Sequence, residues 1–189
     1  MKLSAIKLLV ASTVIFMVAA CNPAMLKYQL DPEITHLNQL VGSAKIVALK
    51  VIDTRTDNSG DNADQKVISG PAEEAKLLQR KLTDFLKNGG YKIISKPLLA
   101  DVAFEIEITS LELTIESSAF KSIIRGTSEI KLSANVHSQQ WSKIYRATRQ
   151  QEVANPANDI DATGVINQML TKQFSNMFAD SSLQEFLAK

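Results

Sequence analysis

Apolar and polar positions along this chain repeat with two different periods, and each change of period marks an element. Ile46, Val47, Ala48, Leu49, Val51 and Ile52 form a β-rich run that is apolar on both parities, the pattern of a strand buried on both faces. The run stops at Asp53-Thr54-Arg55-Thr56-Asp57-Asn58-Ser59-Gly60, a polar loop with turn chemistry. Gly70-Pro71 followed by Glu73 and Glu74 predicts a helix start. Proline is tolerated in the first turn, and acids are favoured near the positive end of the helix dipole. Ala75, Leu78, Leu82 and Phe85 then recur at helical spacing, Leu77 and Leu86 widen the stripe, and Lys87 with Gly89-Gly90 closes it. Tyr91 to Ile94 predicts a short strand.

The strongest β pattern follows. Phe104, Ile106 and Ile108 alternate with Glu105 and Glu107, after which the apolar phase slips by one residue to Leu111, Leu113 and Ile115. A one-residue slip would turn every later side chain to the other face, so a bulge or bend near Thr109-Ser110 is the economical explanation. Ile130, Leu132, Ala134 and Val136 predict another strand and residues 144–153 a third, joined by a turn in Ser138-Gln139-Gln140-Trp141-Ser142. This is a meander of long antiparallel strands with one wet face. Asn158 or Asp159 can cap a helix whose apolar positions Ile166, Leu170, Phe174 and Met177 face one way, with Val165, Met169 and Phe178 beside them. Asp180-Ser181 restarts a short helix bearing Leu183, Phe186 and Leu187. The expected class is α+β: an antiparallel sheet with a bent long strand, one helix after the first strand, and C-terminal helices packed on one face.

The first 43 residues obey a different logic. Lys2 and Lys7 precede a mostly apolar run from Leu8 to Val18, of signal-peptide length and too short for a bilayer span with normal flanks. The run ends in Val18-Ala19-Ala20-Cys21, the lipobox pattern of an aliphatic residue, two small residues and a cysteine whose thiol takes a diacylglyceryl group. Residues 1–20 are therefore expected to be a signal peptide, 21–43 an acylated N-terminus and tether, and 44–189 a single periplasmic domain. Asn22 stands where aspartate would favour inner-membrane retention under the enteric sorting rule, so the expected address is the outer membrane with the domain in the periplasm. A flexible tether of some 20 residues reaches about 25 Å. Tyr28, Leu30, Leu26 and Leu37 are apolar within it, which suggests that part of it packs along the domain.

Composition sharpens this picture. Loss of residues 1–20 removes Lys2 and Lys7 and no acid, leaving 19 bases against 20 acids, a near-neutral chain without the basic surface that nucleic acid requires. Cys21 is the chain's one cysteine, so once acylated it leaves no thiol for a disulfide.

Candidate chemistry is sparse. His36 and His137 are the two histidines, one in the tether and one at a strand end, a poor start for zinc or a triad. The acidic segment Asp57 to Asp64 invites comparison with an EF-hand, but Asn62 stands where glycine is wanted and Ile68 where the bidentate glutamate is needed. Gly89-Gly90 follows a helix instead of opening one, so no phosphate loop is present and no cofactor is implied. Glu105, Glu107, Glu112 and Glu116 fall on the polar parity of a strand and read as a solvated face instead of a glycosidase pair. Arg55, between Asp53 and Asp57, has two readings. It either docks a partner together with Asp57, or forms a local ion pair that shapes the turn.

Taken in order, the lipobox, the strand ending in Asp53-Thr54-Arg55-Thr56-Asp57-Asn58, the helix running into Gly89-Gly90-Tyr91, the Tyr145-Arg146-Ala147 segment and the closing Ser182-Leu183-Gln184-Glu185-Phe186-Leu187 resemble the YajG family of bacterial lipoproteins. The resemblance implies a periplasm-facing envelope lipoprotein with no established activity. The expected function is accordingly non-catalytic: membrane attachment through the lipid and binding of a periplasmic protein partner. An enzyme acting on a cell-wall or lipid substrate is the alternative, and it would need a deep site with convergent titratable groups.

Overall fold

The computed structural model describes residues 28–34, 46–55, 71–154 and 156–188. Five strands form one sheet in the order β2-β1-β3-β4-β5. Strand β1 (Ile46–Asp53) leads into helix α1 (Pro71–Asn88), then β2 (Lys92–Ile94) and a single 3-10 turn at Pro97–Leu99. The long strands β3 (Val102–Ser117), β4 (Lys121–Val136) and β5 (Gln139–Ala154) follow, then α2 (Asp159–Phe178) and α3 (Ser181–Leu187).

The sheet is mixed. The expected antiparallel meander is present as β3, β4 and β5, whereas β1 runs parallel to both β2 and β3. The reason is the intervening helix: a crossover through α1 returns the chain to the end from which β1 started, and parallel neighbours need such a connection. Burial on both faces of β1 holds for Val47, Ala48 and Leu49, but Lys50 is exposed and the remainder of the strand is half-buried.

The phase slip in β3 is a bulge. Pairing with β4 shifts between Ile108 and Ser110, leaving Thr109 out of register, with its hydroxyl donating to the Glu129 carbonyl at 3.0 Å. The extra residue restores parity, so Phe104, Ile106, Ile108, Leu111 and Leu113 are all buried in one core. Strand β4 begins nine residues earlier than its apolar alternation suggested, because its helix-facing positions there include Ser122, Gly126 and Ser128. The expected turn at residues 138–142 shrinks to His137-Ser138, since Val136 pairs with Gln139. His137 takes the tight corner with a φ of 54°.

Helices cover one face of this sheet. Asn158 caps α2 in a full capping box with Asp161, and the stripe Val165, Ile166, Met169, Leu170, Phe174, Met177 and Phe178 is buried beneath it. Gly126 lets the helix come close: a Cβ there would stand 3.3 Å from both Met169 Sδ and Val165 Cγ1. The Met169 thioether can give way, but β-branched Val165 cannot easily do so. Gly126→Val is therefore expected to cost about 1–3 kcal/mol through overpacking, read as a fall in thermal midpoint.

Ser128 and Gln173, both buried under α2, are matched to each other. Ser128 donates to Gln173 at 2.6 Å, and Gln173 donates in turn to the Tyr145 carbonyl at 2.9 Å. At the far end of α2, Asp180 caps α3, accepting from the Ser182 N–H (2.9 Å), Lys143 Nζ (2.6 Å) and the Tyr145 hydroxyl (2.8 Å). Burial alone would raise the Asp180 pKa, but these donors together hold it well below the carboxylate range. A depressed folded pKa gives stability that is present above the ordinary value and lost as pH falls through the folded one. Asp180→Ala is thus expected to weaken the fold at neutral pH by about 0.5–2 kcal/mol as a lost cap, with a deficit that narrows under acid in denaturant titrations.

Candidate functional site: a buried arginine cluster and a docked strap

The last residue of β1 and the two after it build the most concentrated polar site among the described residues. Thr54 N–H donates to the Ile108 carbonyl at 3.0 Å, which turns the chain along the bulged part of β3. Arg55 then folds back. Its Nε reaches Asp53 Oδ1 at 2.9 Å, one terminal nitrogen reaches Asp53 Oδ2 at 2.6 Å and also Glu74, and the other donates to the Leu111 carbonyl at 3.3 Å. The Arg55, Asp53 and Glu74 side chains are 9%, 2% and 3% exposed. The Tyr28 hydroxyl completes the group by donating to Glu74 Oε1 at 2.8 Å.

The electrostatics follow from this enclosure. Burial would lower the Arg55 pKa, but the Asp53 hydrogen bond and the charge of Glu74 outweigh it and hold the guanidinium firmly protonated. Burial pushes the Glu74 carboxyl above its ordinary range, and Arg55 and Tyr28 counter this in part. Chemically the cluster is a clamp. A planar guanidinium satisfies two carboxylates and a carbonyl at once, which a lysine could not do.

Tyr28 belongs to a strap, residues 28–34, laid against the helices. Gln29 N–H donates to Thr163 Oγ1 at 3.2 Å, while Asn167 donates to the Gln29 carbonyl at 2.9 Å and accepts from Asp31 N–H at 2.8 Å. One asparagine thus reads the strap backbone as a neighbouring strand would. Tyr28 and Leu30 are buried, and Lys81 of α1 pairs with Asp31. Between strap and α2 runs a groove of about 580 Å³, lined by Gln29, Asp31, Thr163, Asn167, Thr171 and Lys172 among others.

The residues singled out from sequence fall into three groups. Arg55 was expected on an exposed loop and is instead enclosed, with Asp53 as its local partner as one reading had it. Cys21, Asn22, Asp57, His36 and the acidic segment 57–64 lie outside the described residues. Glu105, Glu107 and Glu116 lie on the open face of the sheet, paired with Lys50 (3.0 Å), Lys131 (2.7 Å) and Arg125 (3.6 Å), beside Glu112. Arg146 with Glu129 and Lys121 with Glu152 extend this ladder at 2.7 and 2.8 Å. Glu74, Tyr28 and Asn167 were missed. Glu74 carried a signal, but that of a helix-start acid, and nothing local marks it as a partner of Arg55.

Among the described residues no group of histidine, cysteine and acidic side chains could hold a metal ion, and no helix is long and apolar enough to cross a membrane. The chain belongs to a family described as uncharacterized lipoprotein, the YajG type, whose model matches residues 32–188. It is thereby a membrane-anchored envelope protein of the lipoprotein class. No curated protein matches it. Similar solved structures include a Xanthomonas campestris protein of the DUF330 family, 12% identical, covering 85% of this chain and 94% of that one with a TM-score of 0.44. A hypothetical protein from Chlamydia trachomatis is 14% identical, with 78% and 98% covered and a TM-score of 0.47. A lipoprotein from Neisseria meningitidis is 13% identical, with 72% and 98% covered and a TM-score of 0.36.

Proposed function

We propose that this chain is cleaved before Cys21, acylated on that cysteine, sorted to the outer membrane through Asn22, and displays residues 44–189 in the periplasm as a non-catalytic binding or assembly-accessory domain. The observation that carries the reading is Val18-Ala19-Ala20-Cys21 standing just ahead of a domain of lipoprotein family. A diacylglyceryl thioether plus an amide-linked acyl chain, at about 0.8 kcal/mol per buried methylene, makes the attachment effectively permanent.

Binding in place of catalysis is supported by what the described polar groups do. The Arg55 clamp and the ionic ladder of the open face engage their charged groups with one another. The surface best suited to a protein partner is β5, a 16-residue strand at the edge of the sheet, whose outer backbone groups can accept an added strand. Arg55 would then serve such a partner indirectly, by tying the end of β1 to the start of α1 through Asp53 and Glu74, with Asp57 as the proposed contact.

Cys21→Ser is the direct test of the anchor. The variant is expected to lose acylation and to leave the detergent phase on partition, and normal membrane retention would refute the reading. Asn22→Asp is expected to move the protein toward the inner membrane on a density gradient in a host that follows the enteric rule. For the binding surface, a photocrosslinking residue at Thr148 on β5 should trap a protein in intact cells that the same residue at Lys92 on β2 does not.

A further inference from the structure

We infer that the end of the domain carrying Phe120 and Ile160 rests on the bilayer that holds the Cys21 lipid, with Phe120 inserted at the level of the headgroups and upper acyl chains. The inference rests on the proposed lipidation of Cys21 and goes beyond it, since a lipid anchor by itself leaves the orientation of the domain free.

The strap shows from which side the chain arrives. Gln29 bonds Thr163 and Asp31 bonds Asn167, so the strap runs in the same direction as α2 and enters at the N-terminal end of that helix. Ile160, one turn before Thr163, is 82% exposed. The tip of the β3–β4 hairpin belongs to the same end: Lys121 pairs with Ala154, the last residue of β5, and the chain then passes to Asn158, which caps α2. At that tip Phe120 is 90% exposed. The other large exposed apolar side chains of a turn, Leu98 (98%) and Leu99 (66%), sit at the opposite end, just before Val102 where β3 begins and beside the β4–β5 turn.

The lengths agree. Seven residues of chain lead from Cys21 to Tyr28, a reach of at most about 25 Å. From Gly126, packed under Val165 and Met169, the strand runs six residues to Phe120, about 20 Å at the antiparallel rise. From Val165 back to Ile160 is about 7.5 Å along the helix. The hairpin therefore projects beyond Ile160 by about 12 Å, half of the greatest reach of the seven residues from Cys21 to Tyr28. While the strap is docked, the lipid surface cannot lie far from the hairpin tip.

The occupant is lipid instead of protein for two reasons. Among the described residues Phe120 is the one large exposed apolar side chain on its turn, which provides far less apolar area than the roughly 1,000 Å² of a stable protein interface, but is the shape of a side chain that inserts. Among the described residues the charges flanking the tip are paired, Lys121 with Glu152 and Arg125 with Glu116, so these four add no net attraction to or repulsion from anionic headgroups.

The test uses the full acylated chain in vesicles of phosphatidylethanolamine and phosphatidylglycerol, with and without bromine on the acyl chains, in a Trp141→Phe background that removes the single native tryptophan. Phe120→Trp is expected to be quenched about twofold or more by the brominated lipid, as an interfacial tryptophan should be. Leu98→Trp, at the far end, is expected to stay unquenched. Asn167→Ala, which frees the strap, should weaken quenching at position 120. Because both probe positions are exposed turns, folding is preserved, and circular dichroism verifies it. An acylated, vesicle-bound protein whose Phe120→Trp is unquenched, or whose Leu98→Trp is quenched equally, overturns the orientation and leaves the anchor standing. A first residue without acyl chains by mass spectrometry overturns the anchor and the orientation with it.

Discussion

Arg55→Ala is expected to cost about 3–5 kcal/mol, because it strands buried charge without a partner. Asp53 and Glu74 would be left facing one another with side-chain exposures of 2% and 3%. Arg55→Lys should recover part of the loss, since an ammonium supplies charge but cannot bridge both carboxylates and the Leu111 carbonyl. The pH dependence has a definite sign. The folded pKa of Glu74 already lies above its ordinary range. A raised folded pKa means that the native state holds the proton more tightly, so this group's contribution is complete below its ordinary pKa and declines as pH rises through the folded one. Without the guanidinium that decline steepens. The deficit of Arg55→Ala should therefore be largest near neutrality and shrink on acidification, down to the point where loss of the Asp180 contribution destabilises both proteins. Urea denaturation at a series of pH values reads both effects, and a deficit that is flat or that grows with acid would reject the buried-charge account.

A second large loss is expected at Phe178→Ala. Phe178 is 1% exposed, and its ring lies 5.2 Å from Phe85 of α1 and 6.2 Å from Phe104 of β3. It thus joins both long helices to the sheet at one point. Truncation removes the transfer free energy of the ring and leaves a cavity that rigid strand residues cannot fill, for about 3–5 kcal/mol. The denaturation midpoint should fall with little change in slope, since the surface exposed on unfolding is nearly the same. Ile160→Ala on the same helix is the contrasting case, and its exposed side chain should cost little.

How far the chain announces this architecture depends on whether each signal is local. The bulge at Thr109 was legible because parity is counted along one strand. The start of β4 was not, because Ser122, Gly126 and Ser128 occupy helix-facing positions where α2 leaves no room for large side chains, a requirement set by an element some 40 residues later. The helix after β1 was legible. That it makes β1 a parallel strand is a consequence of topology that no residue in β1 records. The site divides in the same way. Asp53 beside Arg55 is visible at a separation of two residues, whereas Glu74 lies 19 residues after Arg55, and Tyr28, on the other side of Arg55, lies 46 residues before Glu74. Tyr28 and Leu30 could be seen to need a surface, but Asn167 gives no sign that it is that surface.

The separation between the strap and its receptor also has a consequence in time. Gln29 bonds residues 134 and 138 positions further along, so the earliest described segment cannot settle until the last long helix has folded beneath it. Closing so long a loop is slow and comes late, after the local hairpins of β3, β4 and β5 have formed. The same logic runs backwards: a short segment held at its edge is the piece most easily released without unfolding the rest. The amides of Gln29 and Asp31 should then exchange with solvent well before those of the paired central strands, and the earliest described segment is the last to be put in place and the first to come loose.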